Sequence, residues 1–401
     1  MAHRVYNFSA GPAMLPTEVL EASAAALLDY QGKGFGIAEC SHRGKEFEGV
    51  LDEAIARAKT LLGIADTHDV LFMQGGATAL FSIIPMNLLH NSADYLVSGE
   101  WSKKAAGVVK ELGLKANIVG TSEATNFDRS PLPSEWKLDA SADYLHVCTN
   151  ETVHGHRLVN WPTDKSKNLI VDASSEFMSR PHPVKDCALV YAGAQKNLGP
   201  SGLVMVVVRK DLYGKLKKTP SKLFDFKAMA DAKSMINTPP TFGVYVLLET
   251  FRWIERQGGL EAMERRNADK AGFLYNAIDN SGGFYSPFVA VKEQRSHMNV
   301  NFRLPDEAKT ETFIKEAAKN GMVALKGYRT VGGIRASIYN AMPVEGAKAL
   351  RSSWTSSRRR TGDADALVLP RTRELSLCVS SAGHLHHWWP WHRAARVCVD
   401  C

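Results

Sequence analysis

The chain has 401 residues, of which 45% are hydrophobic and 23% are charged. This is the composition of an ordinary globular protein, and the length allows two or three domain-sized units. The formal net charge is +7, but residues 351–401 hold eight arginines and four acids, so they contribute +4 and the first 350 residues only +3. Positive and negative charges are therefore nearly balanced over the first 350 residues, which argues against nucleic acid as the main partner.

The sequence contains no apolar run that approaches the length of a bilayer span, so no membrane partner is predicted. Residues Met1–Asn7 have neither signal-peptide nor transit-peptide character. Cys40, Cys148 and Cys187 are widely spaced, as expected of reduced thiols. We therefore expect a cytoplasmic protein, or an organellar one if a presequence is missing. The single C-x-x-C at residues 398–401 is half of a metal site, and no metal is predicted.

Helical and strand patterns alternate from residue 15 to about residue 260. Apolar residues recur at helical spacing from Phe47 to Leu62, and Gly63 follows as a helix terminator. Four short apolar runs predict buried strands, with helices over 80–89 and 101–112 between them: Asp69–Met73, Tyr95–Val97, Tyr144–Cys148 and Leu169–Val171. The alternation predicts an α/β fold with a mostly parallel sheet covered on both faces, whose ligand crevice lies beyond the carboxyl ends of the strands.

Several polar groups follow these predicted strands. Asp172 closes one strand, where a carboxylate can keep a pyridine nitrogen protonated or simply cap a turn. The Gly75–Ala77 turn precedes a helix whose N-terminus can bind a phosphate. Trp101 could stack on a cofactor ring or pack in the core, and Thr152 could bond a ring substituent or a local turn.

Lys196 lies in a polar turn between the apolar runs 188–192 and 203–208. Partial desolvation there would lower its pKa and favour the neutral amine that attacks an aldehyde; the alternative is a solvated surface lysine. A phosphate anchor, a stacking ring, a pyridine-nitrogen carboxylate and a nucleophilic lysine appear in this order after successive strands. Together they predict pyridoxal 5'-phosphate as the cofactor.

The pattern changes after residue 259. A helix over 260–278, an alternating segment at 298–302 and a helix over 307–320 predict a smaller α+β domain. We expect a large domain at residues 15–259, a small domain formed by 1–14 with 260–350, and an atypical, disordered tail at 351–401.

Several motifs in this order resemble the phosphoserine aminotransferase family, which belongs to the class V aminotransferases of the fold-type I pyridoxal-phosphate enzymes. The resemblance covers residues 4 to about 350. Its motifs are the segments 7–16, 41–43, 191–202, 237–241 and 335–342.

The resemblance implies how the cofactor is held. Lys196 would bind it covalently and move the proton, Asp172 would pair with the ring nitrogen, Trp101 would stack and Thr152 would bond the ring hydroxyl. The remaining implied contacts are to the cofactor phosphate. They come from Gly76, Ala77 and Gln195 of one chain and from Asn237 and Thr238 of the neighbouring subunit, which implies a homodimer with shared active sites.

The resemblance also implies the reaction. L-Glutamate and 3-phosphohydroxypyruvate would give 2-oxoglutarate and O-phospho-L-serine, in serine biosynthesis. Both amino acids carry an α-carboxylate and a distal anion, which require basic groups at two positions. Arg335 resembles the α-carboxylate ligand, and the other implied substrate residues are Ser9, His42, Arg43 and Arg329. Another fold-type I aminotransferase, or a catalytically silent binding protein with this fold, stays open as an alternative.

Overall fold

The computed structural model describes residues 4–360. Its helices are α1 (Thr17–Leu28), α2 (Lys45–Leu62), α3 (Gly76–Leu88), α4 (Glu100–Glu111), α5 (Phe226–Asp231), α6 (Thr241–Arg256), α7 (Gly259–Asp279), α8 (Glu307–Lys319) and α9 (Val344–Arg360). Its strands are β1 (Tyr6–Asn7), β2 (His68–Gln74), β3 (Ala93–Val97), β4 (Ala116–Thr121), β5 (Leu145–Cys148), β6 (Asn150–Glu151), β7 (His156–Arg157), β8 (Leu169–Asp172), β9 (Leu189–Gly193), β10 (Leu203–Arg209), β11 (Ser286–Pro287), β12 (Asn299–Arg303), β13 (Met322–Val323) and β14 (Ile334–Ser337).

The main sheet has seven strands in the order β2-β10-β9-β8-β5-β3-β4. Neighbours pair in parallel except at β10, which runs antiparallel to both β2 and β9. Strand β10 is reversed because residues 194–202, which join it to β9, are too few for the crossover of about a dozen residues that a parallel pair requires. The predicted α/β fold with a mostly parallel sheet is confirmed.

Apolar side chains cover both faces of this sheet, as strands buried on two sides require. One core packs α1, α2 and α6 against the first face, with Val50, Val171 and Val244 among its buried members. The other packs α3, α4 and α5 against the second face around Leu80, Ala105 and many strand residues. Because apolar packing covers both faces of the sheet, a ligand site is expected at the edge where the parallel strands end.

A third core lies outside the main sheet. It joins Phe8, close to the N-terminus, to residues of β12, β14, α8 and α9. Helix α7 belongs to two cores, since Leu260 and Met263 pack in the first and Ala271 and Leu274 in the third. Helix α7 thus contributes to both the first and the third hydrophobic core.

The start of the predicted disordered tail differs from the structure. Helix α9 continues to Arg360, and Trp354 is only 3% exposed, with its ring 4.9 Å from that of Phe302. The prediction of disorder from residue 351 is wrong at this point, because Trp354 follows the buried Leu350 by four residues and lies on the same helix face. The rest of the predicted tail lies outside the described residues. No helix in the described range combines the length and the apolarity of a membrane span.

Candidate active site

A cavity of about 370 Å³ lies at the edge of the main sheet where β2, β5, β8 and β9 end. This is the size range of small-molecule sites. Its wall is formed by residues from these strand ends, from helices α3 and α4, from the connection between β9 and β10 and from the N-terminal segment: Gly11, Pro12, Gly75, Gly76, Ala77, Thr78, Phe81, Trp101, Cys148, Asn150, Asp172, Ser174, Ser175, Gln195, Lys196, Ser201 and Gly202.

Lys196 follows β9 in the short connection to β10, and the residue is only 9% exposed. Its Nζ donates a hydrogen bond to Thr152 Oγ1 at 2.5 Å. Burial lowers the pKa of the Lys196 amine, against the opposing effect of the Asp172 carboxylate. The structure thus brings Lys196, Thr152 and Asp172 together and favours a neutral, nucleophilic amine.

Asp172 is the last residue of β8 and is 5% exposed. Its Oδ1 accepts hydrogen bonds from Ser174 Oγ at 2.6 Å and from Ser174 N–H at 2.9 Å. Burial raises the pKa of this carboxyl, while the Ser174 bonds and the nearby Lys196 charge counteract the rise. The Ser174 hydrogen bonds therefore fix the Asp172 carboxylate, which can still accept a hydrogen bond from a cationic group beside it.

Trp101 lies in the first turn of α4 and presents its ring to the cavity, with Lys196 Nζ 5.4 Å from the ring centroid. The fully buried Glu151 carboxylate holds this helix end. It accepts from Trp101 N–H at 3.1 Å, from Ser102 N–H at 3.1 Å and from Ser102 Oγ at 2.6 Å. The Glu151 carboxylate, in β6, thereby satisfies N–H groups of the first turn of α4, which have no partner within the helix. These bonds fix the backbone position of Trp101.

Helix α3 begins at Gly76, four residues before the start predicted from the apolar pattern. Gly75 precedes it with a φ of 90°, and a Cβ built there would come within 2.7 Å of Ala79 Cβ. A larger residue would strain this turn. Gly76 and Ala77 therefore place the free N–H groups of a helix N-terminus at the cavity wall, where an anion is favoured.

The residues present fit pyridoxal 5'-phosphate. The cavity offers an amine for the aldehyde, a carboxylate for the pyridine nitrogen, a hydroxyl, an aromatic face and a helix N-terminus for the phosphate. Two buried polar atoms of its lining residues, Trp101 Nε1 and Gln195 Oε1, have no hydrogen-bond partner within residues 4–360. Buried polar atoms are normally satisfied, so a ligand is expected to meet them. No group of three or more His, Cys, Asp or Glu side chains in the described range could hold a metal ion.

Some predicted site residues do not line this cavity. Asn237 lines a separate cavity, which has Gly75 in common with this one, and Thr238 is exposed and its carbonyl accepts from Gln74 Nε2 at 3.2 Å. Both stay outside the pocket that Lys196 of their own chain occupies.

None of the predicted substrate residues lines the cavity wall. Ser9 is adjacent, because its Oγ accepts from the N–H of the lining residue Gly11 at 3.4 Å. Arg335 acts electrostatically on Lys196, and its guanidinium lies 5.8 Å from the Tyr328 ring centroid. His42 is half-buried, whereas Arg43 and Arg329 are exposed.

Sequence reasoning missed several lining residues, notably Asn150, Ser174 and Ser175. Each follows the end of a strand, β5 or β8, at the edge that carries the site. That position is the signal that could have found them. Glu151 also follows β5, but no local pattern reports its contact with Ser102, which is 49 residues away in sequence.

The chain resembles known proteins over most of its length. A model of the class-V aminotransferases matches residues 5–350. A phosphoserine aminotransferase from Aromatoleum aromaticum is 49% identical over 366 residues, which cover 90% of this chain and 100% of the relative.

Solved structures give the same result. The phosphoserine aminotransferase of Bacillus circulans subsp. alkalophilus superposes with a TM-score of 0.87 and 45% identity, covering 90% of this chain and 99% of the other. The phosphoserine aminotransferase of Trichomonas vaginalis with bound pyridoxal phosphate has a TM-score of 0.84 and 38% identity, covering 88% and 100%.

Proposed function

The chain belongs to the class-V aminotransferases, and from this membership we propose that it transfers an amino group reversibly between L-glutamate and 3-phosphohydroxypyruvate. The products are O-phospho-L-serine and 2-oxoglutarate, which makes the reaction a step of serine biosynthesis. The observation that carries the proposal is the buried Lys196 amine beside Thr152 and Asp172, in a chain 49% identical to a phosphoserine aminotransferase.

The enzyme depends on pyridoxal 5'-phosphate. When bound, this cofactor supplies an aldehyde that accepts the amino group and a ring that withdraws electrons from the substrate Cα. Asp172 would keep a proton on the ring nitrogen, and Trp101 would orient the ring. Thr152 would bond the ring hydroxyl, and Gly76, Ala77 and Gln195 would hold the phosphate.

Lys196 moves the proton. Burial lowers the pKa of its Nζ, so Lys196 would hold the cofactor at its aldehyde carbon and, once released, would take the proton that leaves the substrate Cα. Thr152 Oγ1, at 2.5 Å, orients the amine for this transfer. The half-buried Arg335 would bind the substrate α-carboxylate, and Ser9, His42, Arg43 and Arg329 would bind the distal phosphate or γ-carboxylate.

We further propose a homodimer in which Asn237 and Thr238 reach the cofactor phosphate of the partner subunit. Their exposed positions outside the pocket of their own chain support this arrangement. A cytoplasmic location is part of the proposal. The buried, unpaired thiols of Cys40, Cys148 and Cys187 support it, since disulfides are rare in reducing compartments.

The purified protein with bound cofactor should absorb visible light and change its absorbance when glutamate is added, and Lys196→Ala should abolish that change. The control is Lys167→Ala, a lysine that donates to the carbonyl oxygens of Asp139 and Ala142 outside the cavity. Normal turnover by Lys196→Ala would contradict the mechanism.

The choice of substrate needs a second measurement. We expect kcat/KM for 3-phosphohydroxypyruvate to exceed that for glyoxylate or pyruvate, which lack the distal phosphate, by at least about a hundredfold. A preference for glyoxylate would favour alanine–glyoxylate transamination. A protein that binds the cofactor but transfers no amino group would favour the silent alternative.

A further inference from the structure

Two buried polar side chains, Tyr191 and His146, belong to strands that end at the cavity, and the mechanism above does not use them. Tyr191 is in β9 and fully buried, and His146 is in β5 and 2% exposed. His146 Nε2 and Tyr191 OH are 2.9 Å apart. Such a pair inside an apolar core costs free energy unless each polar atom is satisfied.

Asp172 lies between these two strands. Strand β8 pairs with β5 on one side and with β9 on the other, and the register places Asp172 directly beside Tyr191. The Tyr191 hydroxyl opposes the rise in the pKa of the Asp172 carboxyl, as a nearby hydrogen-bond donor does. The three polar side chains therefore follow one another across adjacent strands, from His146 through Tyr191 to the carboxylate in the cavity wall.

The unpartnered atom of His146 gives this series of side chains a direction. Nδ1 has no hydrogen-bond partner among the described residues. If Nδ1 carried the proton, a buried N–H would be left unpaired and Tyr191 would give its proton to His146 instead of Asp172. If Nε2 carries the proton, only the acceptor lone pair of Nδ1 lacks a partner, and this costs less free energy than an unpaired buried N–H. Burial also lowers the pKa of His146 to about 3, so the ring is neutral.

We propose that His146 and Tyr191 are positioning residues: the His146 Nε2–H donates to the Tyr191 oxygen, whose O–H donates to Asp172 and holds it as an oriented carboxylate toward the cofactor ring nitrogen. A hydrogen bond to an ionised acceptor is stronger than a neutral one, and a preceding donor polarises it further. The inference rests on the proposed placement of the cofactor ring nitrogen at Asp172.

The test compares two ligands in the full-length, cofactor-free enzyme: pyridoxal 5'-phosphate and its analogue with C–H in place of the ring nitrogen. Tyr191→Phe removes one hydroxyl. It should weaken binding of the natural cofactor about tenfold or more, the loss expected for a hydrogen bond to a charged group. Binding of the analogue, which cannot pair with Asp172, should stay unchanged. His146→Phe should shift the ratio of the two dissociation constants in the same direction by a smaller factor.

Tyr144→Phe is the matched control. It removes another buried hydroxyl of the same core, which pairs with Tyr95 OH at 2.8 Å and has no bond to Asp172, so the ratio should not move. Equal weakening of both ligands by Tyr191→Phe would assign a merely structural role to the hydroxyl and overturn the inference, and so would no change for either ligand. Failure of the wild-type enzyme to prefer the natural cofactor would instead count against the placement of the ring nitrogen at Asp172.

Discussion

Lys270, in α7, is a fully buried lysine away from the catalytic cavity. Its Nζ donates to the carbonyl oxygens of Ile338 at 2.8 Å and Tyr339 at 2.6 Å, just beyond the strand that carries Arg335. Burial lowers the pKa of Lys270 well below its usual 10.5, and the charge of Arg266 adds to the effect. A neutral amine has two N–H groups, one for each carbonyl, so the structure is compatible with an uncharged side chain.

This state predicts a pH-dependent stability. Between the lowered pKa of the folded state and the usual value, the unfolded chain binds a proton at Lys270 that the native chain does not. Native stability therefore rises with pH in this window, by up to about 1.4 kcal/mol per pH unit. Lys270→Met lacks the titrating group. In urea unfolding from about pH 7 to pH 9, the wild-type free energy of unfolding should increase relative to that of the variant.

Lys167→Met is the control for the loss of a lysine side chain, because Lys167 is only part-buried. A constant difference for Lys270→Met would mean that the native enzyme keeps this lysine charged. The two hydrogen bonds would then have to stabilise a buried cation, at a large desolvation cost.

The first turn of helix α4 is stabilised by a carboxylate from another element. Glu151 lies in the short strand β6 and accepts three hydrogen bonds from Trp101 and Ser102 at the N-terminus of α4. A negative charge is favoured at this end of a helix. Because Thr152, the partner of Lys196, is the next residue, β6 links the stacking ring to the lysine.

Glu151→Gln should loosen this link. The amide has no charge and only one oxygen, so at least one helix donor loses its acceptor. We expect a loss of about 1–3 kcal/mol in the free energy of unfolding. The variant should also show altered tryptophan fluorescence and weaker cofactor binding.

Glu100→Gln is the matched control at the same helix end. Glu100 is partly exposed and pairs with Lys104 at 3.1 Å, so its removal should change stability by less than about 0.5 kcal/mol. Equal effects of the two substitutions would show that Glu151 acts only through its charge and not through its three contacts.

The strands of the central sheet that position the site were predictable because burial on two faces leaves continuous apolar runs. Strand β4 was missed, since it is an edge strand with Ile118 44% exposed and carries no such run. The clustering of Asp172 and Lys196 followed from their places after strands. The contacts of Glu151 with Ser102 and of Tyr191 with His146 join residues 49 and 45 positions apart, and no local pattern reports them. The arginine-rich composition after residue 350 concealed the helical position of Trp354, which only the packing of the third core reveals.

For the molecule as a whole, one chain does not bring all the proposed phosphate-binding groups to its own cavity. The cavity wall contains Lys196 and the N-terminus of α3, whereas Asn237 and Thr238 lie outside it. A closed dimer with a two-fold axis would exchange these groups between subunits, so each site would require both chains. This arrangement can be tested without a structure of the dimer.

The test mixes two inactive variants. Lys196→Ala removes the amine. In the proposed dimer, Thr238→Glu would place a negative charge next to the cofactor phosphate of the partner subunit, and the exposed position tolerates the change. After dissociation and reassociation, a heterodimer of shared sites has one site with both defects and one intact site. Activity should recover to about one quarter of the wild-type value, since half of the randomly assorted dimers are mixed.

Recovery of this kind requires that the two residues serve different sites of the same dimer. If Thr238 served the pocket of its own chain, every site of the heterodimer would carry one defect, and mixing would yield no more activity than the parent variants. Thr312→Glu, at an exposed position of α8, is the control for the added charge and should keep wild-type activity when unmixed. Loss of activity in that control would trace the defect of Thr238→Glu to the overall charge of the protein instead of the phosphate site.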